Sequence, residues 1–243
     1  MLKTNSNIET LEKLENRTLT AVEKKNDVWQ VNEGVKQKII ELFRKNAVLM
    51  NDNLMKYYDK IDLLNLNQDD FTTRKIRIVP GAIVRRGCYI DDNVVIMPSF
   101  INIGAQIMSK TMIDSGVTVG SCAYIGSNCH ISSNTVIAGV LEPVGAVPVI
   151  IENNVFIGAN CVISEGLRIG KNSRIAAGVT LTASTKIFDS NGNQLEYGYI
   201  PEDSVVISGC CTLTDNLSSY CVIIVKKCDT KTFQKTSKEN ALY

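Results

Sequence analysis

From residue 83 onward an aliphatic residue returns every six positions. An amphipathic helix, with its period of about 3.6, drifts out of such a step, and a strand, with its period of about 2, yields only a few coincident hits. The step lands on Ile83, Tyr89, Val95, Ile101, Ile107, Ile113, Val119, Ile125, Ile131 and Ile137, nine of these ten being aliphatic. It resumes through Ile151, Ile157, Ile163, Ile169, Ile175, Leu181 and Ile187. Two positions before each member of the first run stand mostly small or turn-tolerant residues, among them Gly81, Gly87, Asn93, Ser99, Ala105 and Ala123. One inward aliphatic and one tight corner per hexad specify a parallel β-helix, in which the aliphatics stack into a column. The 14-residue step from Ile137 to Ile151 breaks the phase, which predicts a loop extruded over 139–149. Long loops in regular solenoids tend to carry function.

The flanks read differently. Ser6 and Glu9 at capping-box spacing predict a short helix over about 7–15. Residues 19–31 read as two strands around the turn Lys24 to Asp27, anchored by Trp29. Asn32 is placed to cap an amphipathic helix carrying Val35, Ile39, Leu42 and Phe43. Residues 50–75 read as irregular or briefly helical. After Asp189 a turn over Ser190–Asn193 leads into short strands near Val205–Val206 and Cys221–Val225, followed by a polar tail from Asp229 that frays. The expected organisation is an α/β N-terminal domain over 1–75, the β-helix over 76–189, and a β cap with a tail over 190–243. The fold class is thus mainly β.

Composition removes several function classes. The 26 Lys plus Arg against 25 Asp plus Glu leave no basic excess for a nucleic-acid backbone. No run reaches the roughly 18 apolar residues of a membrane span, and the polar residues 1–7 lack the apolar core of an export signal. The expected location is cytoplasmic. The eight cysteines include no C-x-x-C pair, so reduced packing thiols are expected rather than a structural zinc site. With one histidine, His130, a zinc centre built from several imidazoles is excluded and no metal is expected.

Several segments together carry a resemblance: Arg77–Ala82, Val95–Gly104, Met112–Asp114, Thr118–Ala123, Gly139–Pro143, Ile150–Ala159, Ser184–Ile187, Tyr197–Gly198 and Tyr220–Lys227. In order and spacing the stretch from Leu19 to Thr232 resembles the tetrahydrodipicolinate N-succinyltransferases. The resemblance implies a homotrimer of left-handed parallel β-helices with active sites in clefts between subunits. It also implies succinyl-CoA as acyl donor, with no tightly bound cofactor. The acceptor would be a small amino-dicarboxylate, tetrahydrodipicolinate in its hydrated or ring-opened amino form, on the diaminopimelate route to lysine.

Transfer from a thioester to an amine requires alignment, removal of an amine proton and stabilisation of an oxyanion. Asp114 matches the family's key aspartate and stands just after inward Ile113, where its carboxylate either meets the amine or caps its own turn. Arg77 matches an acceptor-binding arginine, and a guanidinium there can grip a carboxylate bidentately. Glu142, on the extruded loop, is a second candidate for proton handling, and Asn102 a second candidate for acceptor binding. Lys186, Lys226 and Lys227 are candidates for the CoA phosphates. His130 is read as a packing residue, although sugar acetyltransferases on similar repeats use a histidine base.

The chain also departs from its family's pattern. Ser115–Gly116 stand where the family has Thr-Trp, and Val162 replaces a glutamate. Leu181–Ala183 and Gly209–Thr212 differ from the usual Ile-Gly-Gln and Gly-Asn-Leu-Pro. These changes leave open a diverged acyltransferase using another acyl-CoA or amino-acid acceptor, and, more remotely, a catalytically silent trimeric scaffold.

Overall fold

The computed structural model describes residues 2–44, 47–51 and 56–236. At its centre two-residue strands wind into a coil with three parallel faces. The first face holds Arg77–Ile78, Val95–Ile96, Met112–Ile113, His130–Ile131, Phe156–Ile157 and Arg174–Ile175. On the second, Thr118–Val119 lies between Phe100–Ile101 and Val136–Ile137. On the third, Tyr124–Ile125 lies between Gln106–Ile107 and Ile150–Ile151. The second residue of each pair points inward. Ile101, Ile107, Ile113, Ile125, Ile157, Ile163 and Ile169 are all fully buried in one continuous core. Each contributes roughly 1.5–3 kcal/mol as an upper estimate.

Three members of the six-step are displaced. The inward residues of the first coil are Val84, Ile90 and Ile96, and not Ile83, Tyr89 and Val95. The register explains the shift: Ile113 pairs with Ile96, 17 residues earlier, whereas Val119 pairs with Ile101, 18 earlier. The turn through Met97–Pro98–Ser99 is one residue short, and among its described residues none takes positive φ.

At most other corners the residue three before the inward aliphatic sits in the left-handed region, as at Gly104 (φ 79°), Gly116 (73°) and Asn134 (59°). Glycine and asparagine adopt this conformation at least cost. The residue after it is buried, and where it is Thr or Cys its hydroxyl or thiol reaches a backbone carbonyl of the next coil. Thr111 Oγ1 donates to Gly126 O at 2.7 Å, and Cys129 Sγ to Glu152 O at 3.1 Å. At one corner Asn128, Asn154 and Asn172 stack, each Nδ2 donating to the next Oδ1 at 2.9 and 3.1 Å. Asn172 Nδ2 ends the ladder on Asp203 Oδ1 at 2.8 Å.

The N-terminal segment covers the third face. Helix α1 spans Leu2–Glu15, so residue 6 lies inside the helix and is not its cap. Strands β1 (Val22–Lys25) and β2 (Val28–Val31) form the expected hairpin. Helix α2 (Glu33–Leu42) begins at Asn32, whose side chain accepts from Val35 N. Residues 48–51 and 56–72 hold a strand pair besides the brief helix expected. Strands β3 (Val48–Asn51) and β4 (Lys56–Asp59) pair antiparallel, and helix α3 (Gln68–Thr72) carries a capping box from Asn67 and Asp70.

Beyond the coil, Ser204–Thr214 and Leu217–Lys227 make a hairpin of 11-residue strands, longer than the short strands expected. Asp229 caps helix α4 (Thr230–Lys235), where the sequence suggested a frayed tail; residues 237–243 lie outside the described residues.

One carboxylate ties hairpin and coil together. Glu152 accepts from Trp29 Nε1 at 3.0 Å and Arg168 Nε at 3.1 Å, while Trp29 packs on Tyr124 with ring centroids 4.7 Å apart. Burial opposes ionisation of Glu152. The Trp29 hydrogen bond, Arg168, the Lys171 backbone N–H and Lys24 outweigh it and hold the pKa below the usual value. The unfolded chain therefore takes up the proton first, so this stabilisation is complete above the ordinary carboxylate range and is lost as pH falls through the lowered pKa. Trp29 is the single tryptophan. Its emission is expected to shift to the red as Glu152 protonates, and Glu152→Ala, which removes the acceptor, should show that shift already at neutral pH. Unchanged emission in the variant would deny the anchor.

Candidate active site

Asp114 follows Ile113 on the first face and turns outward at the corner leading to the second. Its backbone N–H bonds to Ile131 O at 3.0 Å, fixing it to the coil below. Oδ1 accepts from Ser115 N at 2.8 Å, the turn-capping contact of a corner aspartate. Oδ2 stands 3.5 Å from His130 Nε2, with the side chain 27% exposed. One oxygen is thus pinned by the backbone and the other is presented beside an imidazole. His130 occupies the outward position of the next strand, edge-on to Phe156 with centroids 5.3 Å apart.

The Ser115–Gly116 corner has a steric cause. Gly116 has positive φ, and a Cβ there would lie 2.2 Å from Asn134 Oδ1. Its N–H donates to Pro98 O at 2.7 Å. A side chain at 116 would have to turn the Asn134 amide aside and hold a left-handed φ.

Arg77 is exposed on the outer side of the first face, in one row with Val95, Met112 and His130. Two strand spacings separate it from Met112, about 10 Å. The structure therefore sets Arg77 and Asp114 on the same face with buried Val95 and Met112 between them.

Glu142 stands elsewhere. The loop leaves the second face after Ile137 and rejoins the coil at Ile150, at the corner between the second and third faces. Glu142 is exposed on it. With Val140, Ala146, Val147, Ser164 and Glu165 it lines a cleft of about 590 Å³ between loop and coil. No hydrogen bond or ion pair among the described residues links Glu142 to Asp114; within one chain they occupy different edges of the second face.

Asn102 has a structural task. Its Oδ1 accepts from Arg85 Nη1 at 3.0 Å and from Ile103 N at 2.9 Å. Arg85 Nη2 reaches Asp59 at 2.8 Å, and its guanidinium lies over Phe43 at 5.1 Å. Asn102 thereby fastens the β4 end to the coil. The three lysines do not gather. Lys186 pairs in register with Cys221, whereas Lys226 and Lys227 lie five and six residues further along that strand. Lys226 Nζ binds Asp229 at 2.7 Å and Lys227 Nζ binds Glu202 O.

The thiols are packing groups in their geometry. Cys88, Cys122, Cys129, Cys161 and Cys221 are buried. Burial pushes the Cys122 thiol up to about 12 and raises Cys88 and Cys161 as well.

Comparison with known proteins adds the family. Residues 104–139 match the model described as bacterial transferase hexapeptide, and residues 148–183 the model for the hexapeptide repeat of succinyl-transferase. The two matches flank the extruded loop. A 2,3,4,5-tetrahydropyridine-2,6-dicarboxylate N-succinyltransferase of Wolbachia sp. subsp. Brugia malayi is 48% identical over 211 residues, covering 86% of this chain and 77% of that protein. The chain belongs to the tetrahydropyridine-dicarboxylate N-succinyltransferase family.

Members from Xylella fastidiosa and Acinetobacter baylyi are 45% and 41% identical, covering 86% and 96% of this chain and 77% and 87% of their own lengths. A solved Campylobacter jejuni chain, described as a 2,3,4,5-tetrahydropyridine-2-carboxylate N-succinyltransferase, superposes with TM-score 0.58. It shares 16% identity, over 91% of this chain and 62% of its own, and supports the fold alone. The fold of this N-succinyltransferase family member is a left-handed parallel β-helix with N- and C-terminal additions.

A thiol titration of the native protein checks the assignment of the cysteines. Exposed Cys210 should react first with an aromatic disulfide reagent, followed more slowly by the half-buried Cys211 and Cys228. The five buried thiols should react only after denaturation. Fast reaction of more than three thiols would contradict the packing described.

Proposed function

We propose that the chain transfers the succinyl group of succinyl-CoA to the amine of ring-opened tetrahydrodipicolinate, in the cytoplasm, on the diaminopimelate route to lysine. Family membership supports the reaction class. The observation that carries the chemistry is the Asp114 carboxylate, with Oδ1 held by Ser115 N–H and Oδ2 presented beside His130. The neutral amine attacks the thioester carbonyl, and the new N–C bond forms as the C–O pair moves to oxygen. Asp114 accepts the amine proton, the oxyanion collapses, and the C–S bond breaks. The departing CoA sulfur takes the proton. Arg77, on the same face, binds a carboxylate of the acceptor.

The distribution of the candidates supports a homotrimer. Asp114 and Glu142 lie at separate corners of one chain, so a cleft that uses both is completed by a neighbouring subunit. Static light scattering should give a trimer, and a stable, active monomer would remove the shared cleft.

Val162 favours one second reading. It is 37% exposed on the outer side of the second face, between Val136 and Thr180, an apolar surface where the family pattern has a carboxylate. A different acceptor or acyl group would suit it. Thiol release measured across acyl-CoAs and amino-dicarboxylates separates the two, since only the first reading requires succinyl-CoA with tetrahydrodipicolinate as the best pair.

Asp114→Asn should preserve the fold and CoA binding while lowering kcat by about 10²- to 10⁴-fold, the range for general acid–base catalysis. Arg77→Ala should instead raise the acceptor KM, because its guanidinium acts in capture. Near-normal turnover of Asp114→Asn on its best substrate would reduce Asp114 to capping its turn.

A further inference from the structure

Helix α2 buries a lysine. Lys36 is fully buried among Val35, Ile39 and Leu42, and its Nζ donates to Pro143 O at 3.1 Å and Ala146 O at 2.7 Å. Those two carbonyls bracket one turn of the extruded loop, closed by Ala146 N donating to Pro143 O at 3.0 Å. Glu33, one helical turn earlier, overhangs the same turn: a Cβ on Gly145 would lie 3.2 Å from its Oε1. Leu141 packs on the N-terminal core from the other side of Glu142. Glu142 is therefore flanked by two points of attachment to the N-terminal segment, and by none to the face that carries Asp114 among the described contacts.

Burying an ammonium is costly, and its desolvation pulls the Lys36 pKa down. An unbranched apolar side chain would fill the same space. Replacing the lysine alone would take the donor from Ala146 O, an acceptor that then has to turn toward water. What the ammonium supplies and a methionine could not is a pair of directional donors, aimed at the two ends of one turn.

We propose that Lys36 is a positioning residue for acyl transfer: through Pro143 O and Ala146 O it fixes the loop turn and so sets where Glu142 stands in the cleft. The inference rests on the acyl-transfer reading for its kinetic consequence, but the attachment itself is measurable without substrate. Misplacing a group by about 1 Å can cost up to about 100-fold in rate.

The experiment compares Lys36→Met, Glu142→Gln and the double variant in the full chain. Lys36→Met should leave the chain folded and increase the rate of limited proteolysis within 139–149 by about 10-fold or more. Its kcat should fall by about 10- to 100-fold with little change in the KM for acyl-CoA. In the double variant the two losses should not multiply, because Glu142 is already out of place. Lys36→Arg, which keeps a cation and its donors, should restore part of the loop protection. Unchanged proteolysis in Lys36→Met overturns the attachment whatever the reaction proves to be. Losses that multiply, or a Glu142→Gln enzyme with normal kcat, overturn the route through Glu142. An inactive parent protein with the loop freed in Lys36→Met would fault the reaction and leave the attachment standing.

Discussion

The corners govern this molecule. A coil of two-residue strands has almost no strand in which to correct an error, so its register is decided where the backbone enters the left-handed region. Gly104, Gly116 and Asn134 take that conformation, and the aliphatics three residues later fall into the column. Every outward side chain, including Asp114 and Arg77, inherits its place from the same corners. The packing of the isoleucines stabilises the coil, but it does not choose which residues face out. An isoleucine column shifted by one residue would bury Asp114 and expose Ile113.

The six-residue period made the coil legible, because the inward aliphatic and the corner residue repeat together. It misplaced the first coil for a definite reason. The short turn at Pro98 removes one residue, and Ile83–Val84, Tyr89–Ile90 and Val95–Ile96 are each apolar or aromatic at both positions, so hydrophobicity alone could not distinguish the inward member. The extruded loop was visible as a break in phase, whereas what holds it was not. A usable signal existed: Lys36 lies on the same stripe as Ile39, Ile40 and Phe43, at i, i+3, i+4 and i+7, and a lysine on an apolar stripe needs acceptors nearby. Nothing local specified that they would lie more than a hundred residues away. Asn102 shows the opposite case, a candidate whose carbonyl the fold already engages through Arg85 and Ile103 N.

The candidate site is divided between a rigid part and an attached part. Asp114, His130 and Arg77 stand on strands of the coil, where each backbone group is bonded to the coil above or below. Glu142 stands on a loop whose geometry is set by α2, an element outside the repeat. The repeat thus offers one invariant surface, and the N-terminal segment adjusts what faces it. Such a division allows the loop and its helix to change together while the coil is left intact.

The ladder of Asn128, Asn154, Asn172 and Asp203 has a direction. Every amide nitrogen points along the coil toward the C-terminal end, the Asn154 and Asn172 oxygens each receive from the asparagine before, and the run closes on a carboxylate that only accepts. Hydrolysis of any one of these amides to a carboxylate, a common chemical lesion of ageing proteins, removes a donor and sets two acceptors against each other. At Asn172 the new charge would face Asp203 directly. The corner that helps fix the winding is therefore also where age would mark the molecule: the backbone bonds from Asn154 N to Ser127 O and Asn172 N to Asn153 O would stay, while the ladder of amides beside them came apart.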